Sequence, residues 1–241
     1  MIQIFNDIIY TKGDGFMNYD DTIKFWNNVF SNENTKKLDK PLPYPELEKA
    51  LNWLAKGSDS VLDYGCGDGV FLARSYYLGI ENGLGIDISQ EAVQKGMANL
   101  EENNIDSYII EKGNHLKLNE IQDNFFDSAI LSNILDNVLP EDGMFILEEI
   151  HRIVKPDGKI LIKLNDYIEG EDVLSNKEIF KEELQKNFYL ETSGLYFHNL
   201  SDSNLEEIIK SQFRVEDKFF IYFKNTNKKN RIWLLRNKLL P

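Results

Sequence analysis

The sequence has little from which to build a disulfide framework or a thiolate metal site, because it contains one cysteine in 241 residues. One thiol also excludes the three-cysteine cluster of radical chemistry. No apolar run approaches the ~20 residues that a membrane-spanning helix needs. The segment after Met1 lacks the pattern of a secretory signal, since Asp7 and Asp14 interrupt it. We therefore expect a cytoplasmic protein with no membrane partner.

Basic residues are also scarce relative to acidic ones. The chain has 27 Lys and Arg against 40 Asp and Glu, a formal charge of −13. A nucleic-acid partner is therefore not expected, because such proteins usually carry a Lys- and Arg-rich face. Apolar residues make up 42% of the chain and aromatic residues 12%, which is enough for a sizeable core. The length suits one α/β domain with additions, and it leaves the oligomeric state open.

The most informative segment is Val61–Gly69, with the sequence VLDYGCGDG. A short apolar strand ends in an acidic residue and is followed by Gly65, Gly67 and Gly69. Glycine tolerates positive φ and has no Cβ, so the backbone can turn sharply and a ligand can approach it closely. A strand, a glycine turn and a helix N-terminus together form a nucleotide-type binding corner at the edge of a parallel sheet.

The glycine spacing distinguishes between possible nucleotides. A dinucleotide fingerprint would need a third glycine at position 70, where this chain has Val70. Asp63, on the strand, suits a ligand with a cationic group and suits a diphosphate poorly. Asp87 ends the next predicted strand about 20 residues after the turn, where a carboxylate can bind ribose hydroxyls. The pair indicates a nucleoside ligand with a positive charge.

Strands and helices alternate from residue 59 onward. The patterns predict strands over Ser60–Tyr64, Gly83–Ile86, Ser107–Glu111, Phe126–Leu131 and Lys159–Leu164, with helices between them. Val215–Phe223 and Arg231–Leu235 flank a polar turn and predict an antiparallel hairpin. The expected fold is therefore α/β: a Rossmann-like three-layer sandwich with a mostly parallel seven-stranded sheet, an antiparallel C-terminal hairpin and an N-terminal helical extension.

Two segments lie outside this alternation. Residues 1–43 form the predicted N-terminal helical extension, with an amphipathic helix over Asp20–Phe30, and residues 44–241 form the main domain. Within the domain, 169–199 is an insertion, and its charged part, Glu169–Lys186, is predicted to be helical. Extensions of this kind commonly cover a substrate site, so we expect residues 1–43 to act as a lid and 169–199 to cover the substrate.

Five segments in order resemble the class I S-adenosylmethionine-dependent methyltransferases, of the type that act on small molecules. They are Val61–Gly69, Gly85–Ser89, Gly113–Leu116, Phe126–Val138 and Glu149–Lys159. The resemblance implies S-adenosylmethionine as the cofactor, with S-adenosylhomocysteine as its product. The implied cofactor-binding residues are Asp63, Tyr64, Gly65, Gly67, Asp87, Ile88, Asn114, His115, Ser132 and Asn133. Asn114 departs from the family pattern, which has Asp there, although an amide oxygen can still accept a hydrogen bond.

The expected reaction is in-line methyl transfer to a small-molecule acceptor. The segment after the fourth strand lacks the motif used for exocyclic base amines, which again argues against a nucleic-acid acceptor. His198 and Asp136 are the candidate catalytic bases. No metal is expected, because no carboxylate cluster follows the fourth strand beyond Asp136. Two alternatives stay open: a non-catalytic protein that binds S-adenosylmethionine, and an NAD(P)-dependent oxidoreductase.

Overall fold

A mostly parallel sheet forms the centre of the fold in the computed structural model, which describes residues 18–32, 34–223 and 228–239. Its parallel strands are β1 (Ser60–Tyr64), β2 (Asn82–Asp87), β3 (Tyr108–Lys112), β4 (Phe126–Ser132) and β5 (Val154–Asn165). The chain enters at β1 in the middle, moves outward to β3, and then returns to β4 on the other side of β1. This reversal opens a crevice at the carboxyl ends of the strands, where α/β proteins bind ligands.

Helices cover both faces of this sheet. The helices of the described chain are α1 (Asp20–Ser31), α2 (Pro45–Ala55), α3 (Val70–Tyr77), α4 (Gln90–Glu102), α5 (Pro140–Ile153), α6 (Gly170–Ser175) and α7 (Asp202–Ile209). Of these, α1 packs against α4, and α6 packs within the 169–199 insertion. Val61 and Ile130 pack toward α2, α3 and α4, whereas their strand neighbours Leu62 and Leu131 pack toward α5 and α7. All four side chains are completely buried. Alternate strand residues therefore build two separate cores, which is why these strands are apolar almost throughout.

Capping side chains set the beginnings of two helices. Ser89 Oγ accepts a hydrogen bond from the Ala92 amide at 3.1 Å at the start of α4. Ser201 Oγ accepts one from the Asn204 amide at 3.2 Å at the start of α7. Each bond satisfies one of the amide groups that a helix N-terminus leaves without a partner.

The predicted hairpin is present at the C-terminal edge of the sheet. β10 (Lys228–Asn237) lies antiparallel to both β5 and β9 (Phe213–Phe223), which gives the strand order β3-β2-β1-β4-β5-β10-β9. The predicted fold class is therefore confirmed. Across the described ranges, no helix combines the length and apolar character that crossing a bilayer requires.

The predicted helix over Glu169–Lys186 is wrong in its larger part. Only α6 is helical, and β6 (Phe180–Gln185) follows it in a small antiparallel sheet with β7 (Phe188–Glu191) and β8 (Tyr196–His198). Asn187 has a φ of 63°, which suits the tight turn between β6 and β7 and would interrupt a helix. Phe180, Tyr189 and Phe197 form a buried cluster on this sheet. The charged residues at 181–183 lie at exposed strand positions. Packing of the aromatic side chains in the small sheet therefore outweighed the helix propensity of this segment.

Candidate active site

A cavity of about 300 Å³ lies at the carboxyl ends of the parallel strands, under helix α1. Each of the cofactor residues implied by the sequence lines it: Asp63, Tyr64, Gly65, Gly67, Asp87, Ile88, Asn114, His115, Ser132 and Asn133. They come from the ends of β1 through β4 and are brought together by the reversal of strand order. The structure thus places the whole set in one cavity, and their contacts define what it could bind.

The glycine turn forms the floor of the cavity. The Gly65 amide donates to the Ile86 carbonyl oxygen at 2.7 Å, which ties the turn to the end of β2. Gly65 and Gly67 have φ values of +73° and +54°, so both need the left-handed freedom of glycine. A Cβ on Gly65 would overlap the Ile134 side chain, and one on Gly67 would lie 3.0 Å from Phe30 Cζ. The turn therefore presents bare backbone to the cavity.

Asp87 is fixed by two backbone amides. Gly67 N donates to Asp87 Oδ2 and Ser89 N donates to Asp87 Oδ1, each at 2.8 Å. Burial raises the pKa of Asp87, and these two bonds act in the opposite direction. Each carboxylate oxygen has a further acceptor site after these bonds form. The carboxylate is therefore held rigidly and can still receive two ligand hydroxyls.

Asp63 lies at the end of β1 and is almost completely buried. Its Oδ1 has no hydrogen-bond partner among the described residues. Burial first, and then the nearby charges of Asp87 and Asp68, raise its pKa to about 8. A buried carboxylate without a partner costs free energy unless a cation or a donor neutralises it. This side of the cavity therefore fits a ligand with a positively charged group.

Asn114 and His115 form the wall beyond β3. Asn114 Oδ1 accepts the Leu116 amide at 3.0 Å and so caps the short 3-10 helix His115–Glu120. His115 Nε2 lies 3.5 Å from Asp142 Oδ1 on α5. The amide that replaces the usual Asp at position 114 thus shapes the loop, and it retains one acceptor site for a ligand.

Helix α1 forms the roof of the cavity, and its residues were not among the predicted site residues. Tyr19, Thr22, Trp26 and Phe30 line the cavity from above. They follow one another at helical spacing, so they share one face of α1. The sequence predicted an amphipathic helix over Asp20–Phe30; the spacing of its apolar residues with Tyr19 was the available signal for this face.

Side-chain hydrogen bonds attach the roof at both ends. Tyr19 Oη donates to Asp142 Oδ2 at 2.5 Å and accepts from the Leu139 amide at 3.0 Å. Near the other end, Ser89 Oγ donates to Asn27 Oδ1 at 2.8 Å. Burial, followed by the charge of Asp142, raises the pKa of Tyr19 well above its usual range. Tyr19 therefore keeps its proton and serves as a donor to the carboxylate.

Asp136 lies behind the cavity wall rather than on it. Its carboxylate accepts hydrogen bonds from Asn133 Nδ2 at 3.1 Å, the Asn165 amide at 2.7 Å and Asn137 Nδ2 at 3.1 Å. Lys163 Nζ donates to Asn133 Oδ1. Burial raises the pKa of Asp136 and lowers that of Lys163 to about 8. The Asp136 carboxylate binds the nitrogen end of the Asn133 amide, and the Lys163 ammonium binds its oxygen end. Asp136 therefore fixes the position of Asn133 in the cavity wall.

His198 does not line the cavity either. Its backbone amide donates to the Asp136 carbonyl oxygen at 2.8 Å, which attaches β8 to the segment after β4. Burial lowers the pKa of the His198 imidazole to about 4, far from the value that a general base needs at neutral pH. The structure thus brings neither candidate base to the cavity, and a catalytic role for His198 or Asp136 stays a prediction. The described part of the chain contains no group of His, Cys, Asp or Glu suited to a metal ion.

Comparison with known proteins identifies the family. Residues 55–218 match the model of the methyltransferase domain family. The chain belongs to this family. The resemblance inferred from the five motifs is therefore confirmed. The match gives no support to the nicotinamide-dependent oxidoreductase.

Curated relatives of this chain include ribosomal protein L11 methyltransferases. The protein from Neisseria meningitidis is 35% identical over 123 residues, which are 49% of this chain and 38% of the relative. The similarity thus spans well under half the length of that relative.

Solved structures share the fold of this chain over most of its length. A Pyrococcus horikoshii protein superimposes with a TM-score of 0.64 at 22% identity, covering 88% of this chain and 99% of its own. A second structure is the 1,6-didemethyltoxoflavin-N1-methyltransferase of Burkholderia thailandensis with bound 1,6-didemethyltoxoflavin and S-adenosylhomocysteine. It superimposes with a TM-score of 0.64 at 14% identity, covering 95% of this chain and 94% of its own. The class I fold is therefore shared although most residues differ.

Proposed function

We propose that this protein is an S-adenosylmethionine-dependent methyltransferase that acts on a small molecule. The observation that carries the proposal is the carboxylate of Asp63, which is buried at the glycine turn with Oδ1 unpartnered among the described residues. A cationic ligand would supply the missing partner and relieve the repulsion from Asp87 and Asp68. S-adenosylmethionine carries an ammonium and a sulfonium, and the Burkholderia structure holds its demethylated product.

The residues present fit this cofactor along its whole length. Asp63 and the bare backbone of Gly65 and Gly67 would hold the methionine part. Asp87, with both oxygens already oriented by amides, would bind the ribose hydroxyls. Asn114 and the His115 backbone would meet the adenine edge. Tyr64, Ile88, Ser132 and Asn133 would complete the walls.

When bound, S-adenosylmethionine would supply an electrophilic methyl carbon to the acceptor's lone pair, with the thioether sulfur as the leaving group, and a proton carried by the acceptor would pass to solvent when the product leaves. The protein's own contribution is alignment of the two reactants and exclusion of water. Trp26 and Phe30 provide an aromatic roof over the cavity, and aromatic faces attract a cationic centre.

A small acceptor is favoured by the cover over the cavity. Helix α1 lies across it, and Tyr196 of the 169–199 insertion donates to the Asn18 carbonyl oxygen at 2.9 Å. Residues 1–43 would thus act as a lid and 169–199 as the cover of the substrate; residues 1–17 lie outside the described ranges. A protein acceptor is the second candidate, because the curated relatives methylate ribosomal protein L11 according to their names.

The cofactor assignment can be tested by calorimetric titration with S-adenosylmethionine and S-adenosylhomocysteine. We expect saturable binding of both, and Asp63→Asn should weaken it by about tenfold or more, since a hydrogen bond to a charged group contributes about 1.5–3 kcal/mol. Asp106→Asn, at an exposed aspartate outside the cavity, is the matched control. Absence of binding to the unmodified protein would refute the proposal.

The acceptor can be sought by transfer of a radiolabelled methyl group into a cell extract separated by ultrafiltration. Label in the low-mass fraction would support a small-molecule acceptor. Label confined to protein would refute that part of the proposal and favour the second candidate. Cofactor binding without label in either fraction would point to the non-catalytic alternative.

A further inference from the structure

One part of the cavity is not used by the proposed cofactor contacts. It lies between the end of β4 and the start of α5, beneath the N-terminal part of α1. Its lining residues are Tyr19, Thr22, Ile134, Asn137 and Val138. If the proposed function holds, this region is where the methyl acceptor must lie. Its polar atoms therefore indicate which acceptor chemistry the site recognises.

The orientation of the Asn137 amide follows from its neighbours. Asn137 Nδ2 donates to the Asn133 carbonyl oxygen at 2.8 Å and to Asp136 Oδ1 at 3.1 Å. A backbone carbonyl can only accept a hydrogen bond, so the nitrogen end of the amide must face it. The reverse orientation would place two acceptors against each other. The Oδ1 end therefore points away from this pair, and Asn137 is one of the residues that line the cavity.

Asn137 Oδ1 has no hydrogen-bond donor among the described residues. Both hydrogens of its Nδ2 are engaged, so the side chain cannot donate to a ligand without breaking this arrangement. Asp136 is in turn fixed by the Asn165 amide at 2.7 Å. The acceptor side of the cavity thus contains a rigidly mounted carbonyl oxygen.

Thr22 supplies a second and independent observation. Only 6% of its surface is exposed, and its Oγ1 has no hydrogen-bond partner among the described residues. It lies on the cavity face of α1, one helical turn from Tyr19. A buried hydroxyl without a partner costs free energy, whereas a ligand group that bonds to it would recover that cost. Thr22 and Asn137 thus face the same space from the roof and the wall.

We propose that Asn137 Oδ1 and Thr22 Oγ1 bind the nucleophilic group of the methyl acceptor, and that this group carries an N–H or O–H. A carboxylate or phosphate acceptor does not fit, because Asn137 offers it only a carbonyl oxygen and Asp63, Asp68 and Asp87 line the same cavity. The acceptor is therefore an amine, an amide or a hydroxyl compound. This inference rests on the proposed function, and it names the class of substrate for that site.

Sinefungin allows a test that does not require the natural acceptor. In this analogue of S-adenosylmethionine, a carbon bearing an amine replaces the methylated sulfur, so the amine extends toward the acceptor position. S-adenosylhomocysteine lacks any such group. We compare the Kd values of the two ligands by calorimetry for the unmodified protein, Asn137→Ala and Thr22→Val. Asn119→Ala, at an exposed residue outside the cavity, is the control.

We expect Asn137→Ala to weaken sinefungin about tenfold and leave S-adenosylhomocysteine within about twofold, as loss of one net hydrogen bond implies. Thr22→Val should act in the same direction and preserves the fold, because its Oγ1 has no partner to lose. Unchanged sinefungin binding in both variants would overturn the inference. Equal weakening of both ligands would also overturn it, since the residues would then serve the cofactor. If the unmodified protein binds neither ligand, the proposed function itself fails.

Discussion

The hydroxyl of Tyr19 donates a hydrogen bond to Asp142 across 123 positions of the chain, with an oxygen–oxygen distance of 2.5 Å. The same hydroxyl accepts the Leu139 amide. We predict that Tyr19→Phe lowers the free energy of unfolding by about 1–2 kcal/mol, because both bonds are lost and Leu139 N–H is left without this partner. Urea unfolding measures the change. Tyr222→Phe, at an exposed ring, is the control, and equal stability of the two variants would contradict the anchoring role.

Asp63 should oppose folding while supporting binding. We predict that Asp63→Asn is at least as stable as the unmodified protein at pH 8, since the substitution removes a buried charge that is repelled by Asp87 and Asp68. The same variant should bind S-adenosylmethionine more weakly. Thermal unfolding with and without ligand separates the two effects. A variant that loses stability and keeps its ligand affinity would refute this assignment of Asp63.

The stability of the ligand-free protein should depend on pH through Asp63. Its folded pKa of about 8 lies above the ordinary value of 3.8, so folding favours the protonated form. Its stabilising contribution is complete below the unfolded pKa and is lost as the pH rises through the folded pKa. The slope approaches about 1.4 kcal/mol per pH unit at most. Between pH 6.5 and 8 we expect about 1.6 kcal/mol of loss relative to Asp63→Asn, because the slope falls to half its maximum at the folded pKa.

The range from pH 6.5 to 8 separates the effect of Asp63 on stability from the effects of two other buried titratable groups. The pKa of His198 is lowered to about 4 from 6.5, so its effect falls below the interval. The pKa of Lys163 is lowered to about 8 from 10.5, so its effect falls above it. Urea unfolding at several pH values in both proteins gives the difference directly. Parallel curves for the two proteins would show that Asp63 is ionised throughout the interval.

Two glycines with the same backbone conformation allow a matched test of the turn. Gly57 and Gly65 both have a φ of +73°, but a Cβ on Gly57 meets nothing within 4 Å, whereas one on Gly65 overlaps Ile134. We predict that Gly57→Ala costs about 1–2 kcal/mol from left-handed strain alone. Gly65→Ala should cost more and should weaken cofactor binding, because Ile134 must shift within the cavity. Equal stability and affinity of the two variants would show that the contact is tolerated.

Much of the site could be predicted because it depends on local sequence. Gly65, Gly67 and Asp87 lie at strand ends whose hydrophobic pattern is clear, and parallel strands bring their carboxyl ends to one edge. Glycine spacing then separates this turn from a dinucleotide fingerprint through one residue, Val70. These relationships need no knowledge of the tertiary structure beyond the order of the strands.

The remaining features depend on packing between distant segments. Tyr19 and Thr22 enter the cavity because α1 docks over the sheet, and no local pattern states where a helical extension docks. Asp136 follows β4, and its carboxylate accepts hydrogen bonds from Asn133 and from the Asn165 amide, contacts that depend on the tertiary structure. The insertion after residue 169 became a small sheet because buried aromatic contacts outweighed helix propensity.

The roof over the cavity would also bear on the kinetics of ligand exchange. The bonds of Tyr19 to Asp142 and of Ser89 to Asn27 oppose movement of α1 away from the cavity. If the cofactor binds beneath α1 as proposed, the strength of these two attachments would contribute to how long the spent cofactor stays bound. Turnover would then be limited by product departure rather than by the transfer step. Selection on the residues that attach α1 would thus act on residence time as well as on fold stability.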